Sequence, residues 1–318
     1  MKNLTGQIMN SFDEIFVGSH QTDLHKSLQI ALVNMPVFDD NVELSFKRKP
    51  NLSRARLTAL SNLLNSISSH RTNNGKKIDV VVFPEVCIPH SWEAMLTTWA
   101  RRHNIGVIAG LEHWVDHAEE ARNEVLAALP YSTSNQKTTC IPMRRLKKFY
   151  SPEEIFVLEG NYLKIPSTEN TLFQLFHWRG ASFAIYNCYE LASLEHRGIF
   201  KGKVDFIICT EFNRDINYFS NIVESAARDI HCYVIQVNDS KFGDSRIISP
   251  SSSNIMNPVR IKGGDNLTFL TTSIDLEALR NHQSKRYSLQ KSSELFKPTP
   301  PGLKVEDVQA RINFGNPS

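Results

Sequence analysis

Short, nearly unbroken apolar runs limit what this chain can fold into. Leu28-Gln29-Ile30-Ala31-Leu32-Val33, Val80-Val81-Val82-Phe83, Ile105 to Gly110, Glu124 to Leu129, Ala181 to Tyr186, Val204 to Cys209 and Tyr233 to Val237 show little polar alternation. A strand with one wet face alternates with a period of two, so such runs belong to sheets covered on both faces. Between them lie helical spacings. Leu57, Leu60, Leu63, Leu64 and Ile67 form one stripe, which Asn73 to Lys77 ends, and Phe219, Ile222, Val223, Ala226, Ala227 and Ile230 form another. Trp92, Met95, Leu96 and Trp99 mark a third helix. Strand and helix in alternation predict an α/β fold with layers of helix and sheet.

The 318 residues, 41% hydrophobic and 22% charged, suit one large domain. Residues 1–26 read as an extension or linker, 27–280 as the domain, and 281–318, with Pro298, Pro300 and Pro301, as a tail wrapping the surface or meeting a partner. A net charge of +3, from 36 basic against 33 acidic residues, gives no sign of direct nucleic-acid binding. The five cysteines show no CxxC spacing, which favours a reducing compartment. No apolar stretch has the length of a signal peptide or a membrane span. The expectation is a cytoplasmic protein whose Asn51-Leu52-Ser53 sequon stays silent.

Cys188 ends the run Ala181 to Asn187 at a turn, the position of a presented nucleophile. Glu85 closes the strand-like run 78–85, and Lys147 sits among Arg144, Arg145, Lys148, Phe149 and Tyr150. A carboxylate, an ammonium and a thiol in that order could form a hydrolytic triad, whereas Cys87, Cys209 and Cys232 read as small buried hydrophobes. His113 and His117 lack a third ligand and a helical setting, so no metal site is expected. Lys147 could equally belong to a solvated basic face. The cavity walls are expected in loops near 88–93, 114–120, 130–140 and 212–217.

Phe83-Pro84-Glu85, Lys147 within LKKFYSPEE, Asn187-Cys188-Tyr189-Glu190, and Asn238 followed by GDSRIISP together resemble the nitrilase, or carbon-nitrogen hydrolase, superfamily over roughly residues 27–280. The resemblance implies an αββα sandwich that forms four layers on dimerisation, and covalent thiol chemistry on a small non-peptide amide or nitrile without metal or cofactor. It assigns Cys188 as nucleophile, Glu85 as general base and acid, and Lys147, with Lys148 as the one-residue alternative, as the charge-stabilising ammonium. The Tyr189 backbone N–H joins Lys147 as oxyanion donor. A second glutamate near the triad is expected, with Glu154 preferred to Glu153, although the pair could also mark a helix start. Glu190 is expected to hold the turn by accepting backbone N–H bonds.

KKFYSPEE, NCYELASLEHR and FNRDINYFSNIVESAARDIHCY are similar to the nitrilase-like domain associated with bacterial anti-phage reverse transcriptases. That similarity implies an antiviral defence module with a reverse-transcriptase partner. Since no Tyr-x-Asp-Asp motif occurs, the partner would be a separate or missing part. A homodimer or larger homo-oligomer is expected as well. A silent nitrilase-fold scaffold for oligomers or partners is the competing expectation.

Overall fold

The computed structural model describes residues 12–18 and 25–313. It begins with β1 (Phe12–Val17) and β2 (Ser27–Asn34), then helices α1 (Asp39–Phe46) and α2 (Arg54–Ser69). β3 (Val80–Val82), α3 (Glu93–His103) and β4 (Gly106–Gly110) follow. A hairpin of β5 (Trp114–Val115) and β6 (Ala121–Arg122) leads into β7 (Glu124–Ser132) and β8 (Thr138–Leu146). Next come α4 (Pro152–Gly160), β9 (Phe173–Trp178), β10 (Ala181–Asn187), a 3₁₀ turn Cys188–Ala192 and α5 (Leu194–Gly198). β11 (Phe206–Thr210), α6 (Ile216–Ala226), β12 (Tyr233–Val237), β13 (Ser245–Ile248), β14 (Val259–Ile261) and β15 (Thr268–Asp275) precede α7 (Leu276–Gln283), α8 (Tyr287–Lys291) and α9 (Val305–Asn313).

Two sheets form, one ordered β15-β2-β3-β4-β7-β8 and the other β1-β9-β10-β11-β12-β13-β14. Their facing sides share one core: Ile30, Leu32, Val80, Val82 and Ile108 meet Phe183, Ile185, Phe206, Ile208 and Ile235. The alternate residues point the other way. Ala31, Val33, Val81 and Val107 pack under Leu60, Leu64 and Ile67 of α2 and Leu96 of α3, while Ala184, Tyr186, Ile207 and Val234 pack under Phe219, Val223 and Ala226 of α6. Each central strand is buried on both faces, which is why its sequence runs apolar without alternation. The architecture is an αββα sandwich.

Three segments depart from the sequence expectation. Within the presumed extension 1–26, Phe12–Val17 is an edge strand, parallel to β9, and an edge tolerates the exposed Asp13 and Glu14. β8 is also an edge strand, and its half-exposed Arg144-rich sequence carries no strand signal. The presumed tail 281–318 is docked through residue 313, with Val308 of α9 buried and Arg311 fixed on Asp205. Arg280 of α7 shares that fully buried carboxylate at 2.5 Å. The contact is ionic, so hydropathy hides it. No described helix is long and apolar enough to cross a membrane.

Candidate active site

The site lies where strands of both sheets end, the edge at which open α/β sheets bind ligands. Glu85 follows β3, Lys147 follows β8, Cys188 follows β10, and Glu211 and Phe212 follow β11. Close backbone contact positions the glutamate. Gly110 N–H donates to Pro84 O at 3.0 Å, and a Cβ on Gly110 would fall 2.3 Å from Glu85 Cα. The chain then turns through left-handed backbone at Val86 (φ 44°) and at Cys188 (φ 50°). Non-glycine residues are strained there, and such strain gathers at functional sites.

Glu190 holds the Cys188 turn. Its buried carboxylate accepts the Asn187 N–H at 2.7 Å and the Lys148 N–H, and it pairs with the buried Arg145 guanidinium. These contacts join the end of β8 to the nucleophile turn, so Lys147 and Cys188 are fixed relative to one another.

Lys147, 2% exposed, lies between two carboxylates: Nζ donates to Glu85 Oε1 at 2.8 Å and to Glu154 Oε2 at 2.6 Å. Burial alone would lower its pKa, but the two carboxylates outweigh that and hold it well above the usual lysine range. It is therefore an ammonium and not a nucleophile. Burial likewise pushes the Glu154 carboxyl up, and Lys147 and His113 override it to hold Glu154 at about 2. Asn123 Nδ2 donates to Glu85 Oε1 at 2.9 Å and to Glu154 Oε1 at 2.7 Å. Its Oδ1 accepts from Asn187 Nδ2 at 2.7 Å, and Asn187 Oδ1 accepts from Thr210. The Phe212 N–H donates to Glu85 Oε2 at 3.1 Å.

Burial and the Glu85 charge push the largely buried Cys188 thiol well above its usual range, and Lys147 offsets this only in part. Lys147 favours the thiolate but is already neutralised by its two carboxylates, so the thiol is held on its protonated side near the Glu85 carboxylate. Glu211, fully buried behind the site, has its carboxyl pushed by burial up to about 8, with Gln236 Nε2 donating to it at 2.8 Å.

Lys148 turns elsewhere, its ammonium donating to Thr171 O. Glu153 is exposed, while Glu154 is both Lys147's partner and the N3 member of the Ser151 capping box of α4. The two expected roles of the Glu153-Glu154 pair thus fall on one residue. Tyr189 lines the cavity beside Cys188. Sequence pattern missed Asn123 and Glu211 and weighed His113 only as a metal ligand; Glu211 had the same signal as Glu85, a charge after a buried strand. Among the described residues no group of His, Cys, Asp or Glu is arranged to hold a metal ion.

These residues floor a cavity of about 820 Å³. Of the loops expected to wall it, only 212–217 does so; helical walls come from α1 (Asp39, Val42, Glu43, Phe46), from α4 and from the start of α6.

The αββα layers match those of nitrilase-fold structures. The structure is similar to that of a carbon-nitrogen hydrolase superfamily protein from Xanthomonas campestris with an arsenic adduct in its active site (TM-score 0.55, 14% identity, covering 85% of this chain and 98% of that one). It is similar to an amidase from Nesterenkonia sp. (0.52, 12%, covering 86% and 99%) and to Saccharomyces cerevisiae Nit3, a member of branch 10 of the nitrilase superfamily (0.54, 14%, covering 83% and 96%). No family model and no curated protein matches the sequence.

Proposed function

We propose that this chain is a cysteine-dependent hydrolase of carbon–nitrogen bonds, acting on a small non-peptide amide or nitrile. One observation carries the reading: Glu85, Lys147 and Cys188, from three separate strand ends, converge on the floor of one cavity with Lys147 bonded to Glu85 at 2.8 Å. A fold-level likeness supports it, since a glutamate-to-glutamine variant of the Nesterenkonia amidase bears the acetamide moiety of fluoroacetamide on its active-site cysteine.

For an amide, Cys188 sulfur attacks the carbonyl carbon as its proton passes to Glu85. The carbonyl oxygen becomes an oxyanion that the Lys147 ammonium and the Tyr189 N–H stabilise; losing one such donor lowers rate by about two to three decades. The C–N bond then breaks, the nitrogen leaves with the proton from Glu85, and a thioester remains. Water attacks the thioester, giving a proton to Glu85, and the C–S bond breaks as Glu85 returns that proton to sulfur, releasing the acid and restoring the thiol. Glu154 keeps the lysine charged and aimed while Glu85 exchanges protons.

Iodoacetamide labelling with peptide mapping tests the reading: Cys188 should alkylate well before the other four cysteines, and an amide panel should release ammonia that Cys188→Ala does not. Equal labelling of all five, or an active Cys188→Ala protein, overturns it.

A homodimer or larger homo-oligomer belongs to the same proposal. Phe156 is 77% exposed and Tyr162 92%, apolar rings in water on and just past α4. Light scattering should give a multiple of the chain mass, reduced by Phe156→Glu; a monomeric wild type refutes it. The defence role and reverse-transcriptase partner rest on sequence phrases alone. Pull-down of a reverse transcriptase encoded beside the chain tests that part, and absence of binding removes it.

A further inference from the structure

The six-stranded sheet ends, opposite Glu85, in three turns that hold no carboxylate. β3 starts there after residues 70–78, β4 starts there after the end of α3, and β7 turns into β8 there through 133–137. Gly106 N–H donates to Asp79 O at 2.8 Å, and the Arg179 guanidinium bridges Asp79 Oδ1 at 3.2 Å and Asn104 O at 2.8 Å, so the β3 and β4 entries are fixed side by side. α3 packs across β7 and β8. Arg101 thereby lies near β8, where its charge opposes the rise that burial gives the Cys140 thiol.

Six exposed cations stand on these turns and on the last turn of α3: Arg71, Lys76, Lys77, Arg101, Arg102 and Lys137. None is paired with a carboxylate among the described residues; Arg71 donates to the Ser68 and His70 carbonyls, and Lys76 to Ser27 Oγ at 3.4 Å. The flanking carboxylates are occupied, Asp79 by His25 and Arg179, Glu277 by Lys26, and Asp275 by the first turn of α7. The crowding is felt within the patch, where burial first and then the Arg102 and Lys77 charges lower the His103 pKa. Six such cations exceed the whole chain's net charge of +3, so the rest of the molecule is net acidic and the total conceals the segregation.

The uncharged residues of the turns are of one kind. Positions 72–75 and 133–136 are threonine, asparagine, glycine, serine and glutamine, which bring side-chain and backbone donors of the sort that meet phosphate oxygens. Among 70–77, 101–104 and 133–137 no aliphatic or aromatic side chain stands exposed to enter a bilayer or to stack on an unpaired base. The patch crosses four adjacent strands and is therefore about 15 Å wide, a length over which a duplex presents about nine phosphates.

We propose that this end of the molecule is a docking surface for double-stranded nucleic acid, whose phosphates Arg71, Lys76, Lys77, Arg101, Arg102 and Lys137 contact without regard to base sequence. None of the six lines the cavity above Cys188, so the surface is separate from the candidate active site.

Fluorescence anisotropy of a labelled DNA duplex of roughly 20 base pairs, titrated with the full chain, tests the proposal. Binding should be micromolar at about 50 mM salt and weaken about a hundredfold by about 200 mM, as when about four phosphates give up their counterions. A single strand of the same length should bind more weakly, with a shallower salt slope. The variant Lys76→Glu, Lys77→Glu, Arg101→Glu, Arg102→Glu should lose about thirtyfold or more. Arg54→Glu, Lys262→Glu, Lys291→Glu, Lys304→Glu, which changes the net charge equally at exposed positions elsewhere, should lose less than about threefold. If the first variant does not fold, the pair Lys77→Glu, Arg102→Glu replaces it, with a loss of about tenfold.

No binding at about 50 mM salt, tighter binding of the single strand, or equal losses in the patch variant and its charge-matched control overturns the proposal. Capture by phosphatidylserine vesicles without duplex binding also overturns it and makes the surface a membrane contact. The measurement needs no turnover, so its outcome is independent of the hydrolase reading.

Discussion

Replacing Lys147 with methionine removes a buried ammonium from between two carboxylates while keeping a side chain of similar length. The partners sit at 2.8 and 2.6 Å, and Lys147 and Glu85 are both nearly inaccessible, so the charges left behind are poorly solvated. Breaking a buried ion pair from one side costs about 3–5 kcal/mol, which for a chain of this size lowers Tm by about 4–8 °C. The pH dependence gives the sharper test. In the wild type Glu154 is held at about 2, below its ordinary value of 4.5, so its contribution is complete above about pH 4.5 and is lost as pH falls towards 2. In Lys147→Met the two carboxylates face one another without the ammonium between them, and one takes up a proton more readily folded than unfolded. The sign therefore reverses, and the destabilisation grows as pH rises. Urea unfolding followed by the fluorescence of the four tryptophans at about pH 5 and about pH 8 measures both effects. A loss below about 1 kcal/mol, or one of equal size at the two pH values, refutes the electrostatic account.

Glu211→Gln tests the other buried carboxyl: held up to about 8, it keeps a proton that the unfolded chain loses, so wild-type stability declines as pH rises from about 4.5 to about 8 at up to ~1.4 kcal/mol per pH unit. The glutamine variant should match the wild type at the acidic end and exceed it at about pH 8; an identical difference at both ends contradicts this. Gly110→Ala places a methyl against the Glu85 backbone and should lose about 2 kcal/mol or more along with selective Cys188 labelling, whereas wild-type Tm and labelling would show that the turn yields freely. Cys188→Gly should be more stable than Cys188→Ala by about 1 kcal/mol, because only glycine relaxes at φ 50°, and equal denaturation midpoints would deny the strain.

The central strands were legible because burial on both faces writes itself as an unbroken apolar run. The edges were not: β1 and β8 keep one side in water, and α9 docks through the Arg311–Asp205 ion pair, which a hydropathy pattern scores as surface. Glu85, Lys147 and Cys188 stood out as polar residues directly after such runs or beside family-like phrases. Asn123 had no such signal, since it precedes its strand and its side chain bonds to residues more than thirty positions away. The cavity walls were misplaced because loops attract attention as variable segments, while the exposed acidic side of α1 reads as an ordinary solvated helix face.

Glu154 belongs at once to the first turn of α4 and to the lysine's charge balance. The start of that helix and the assembly of the site are thus one folding event, and neither can be edited without the other. On the proposed reading, a descendant that gave up hydrolysis would still be held to its lysine and glutamates by stability, so their persistence in a sequence records folding as much as chemistry. Only Cys188, which holds up no neighbouring element and sits on strained backbone, is free to be lost once turnover ceases to matter. The presence of that one residue is therefore the better witness to an active site.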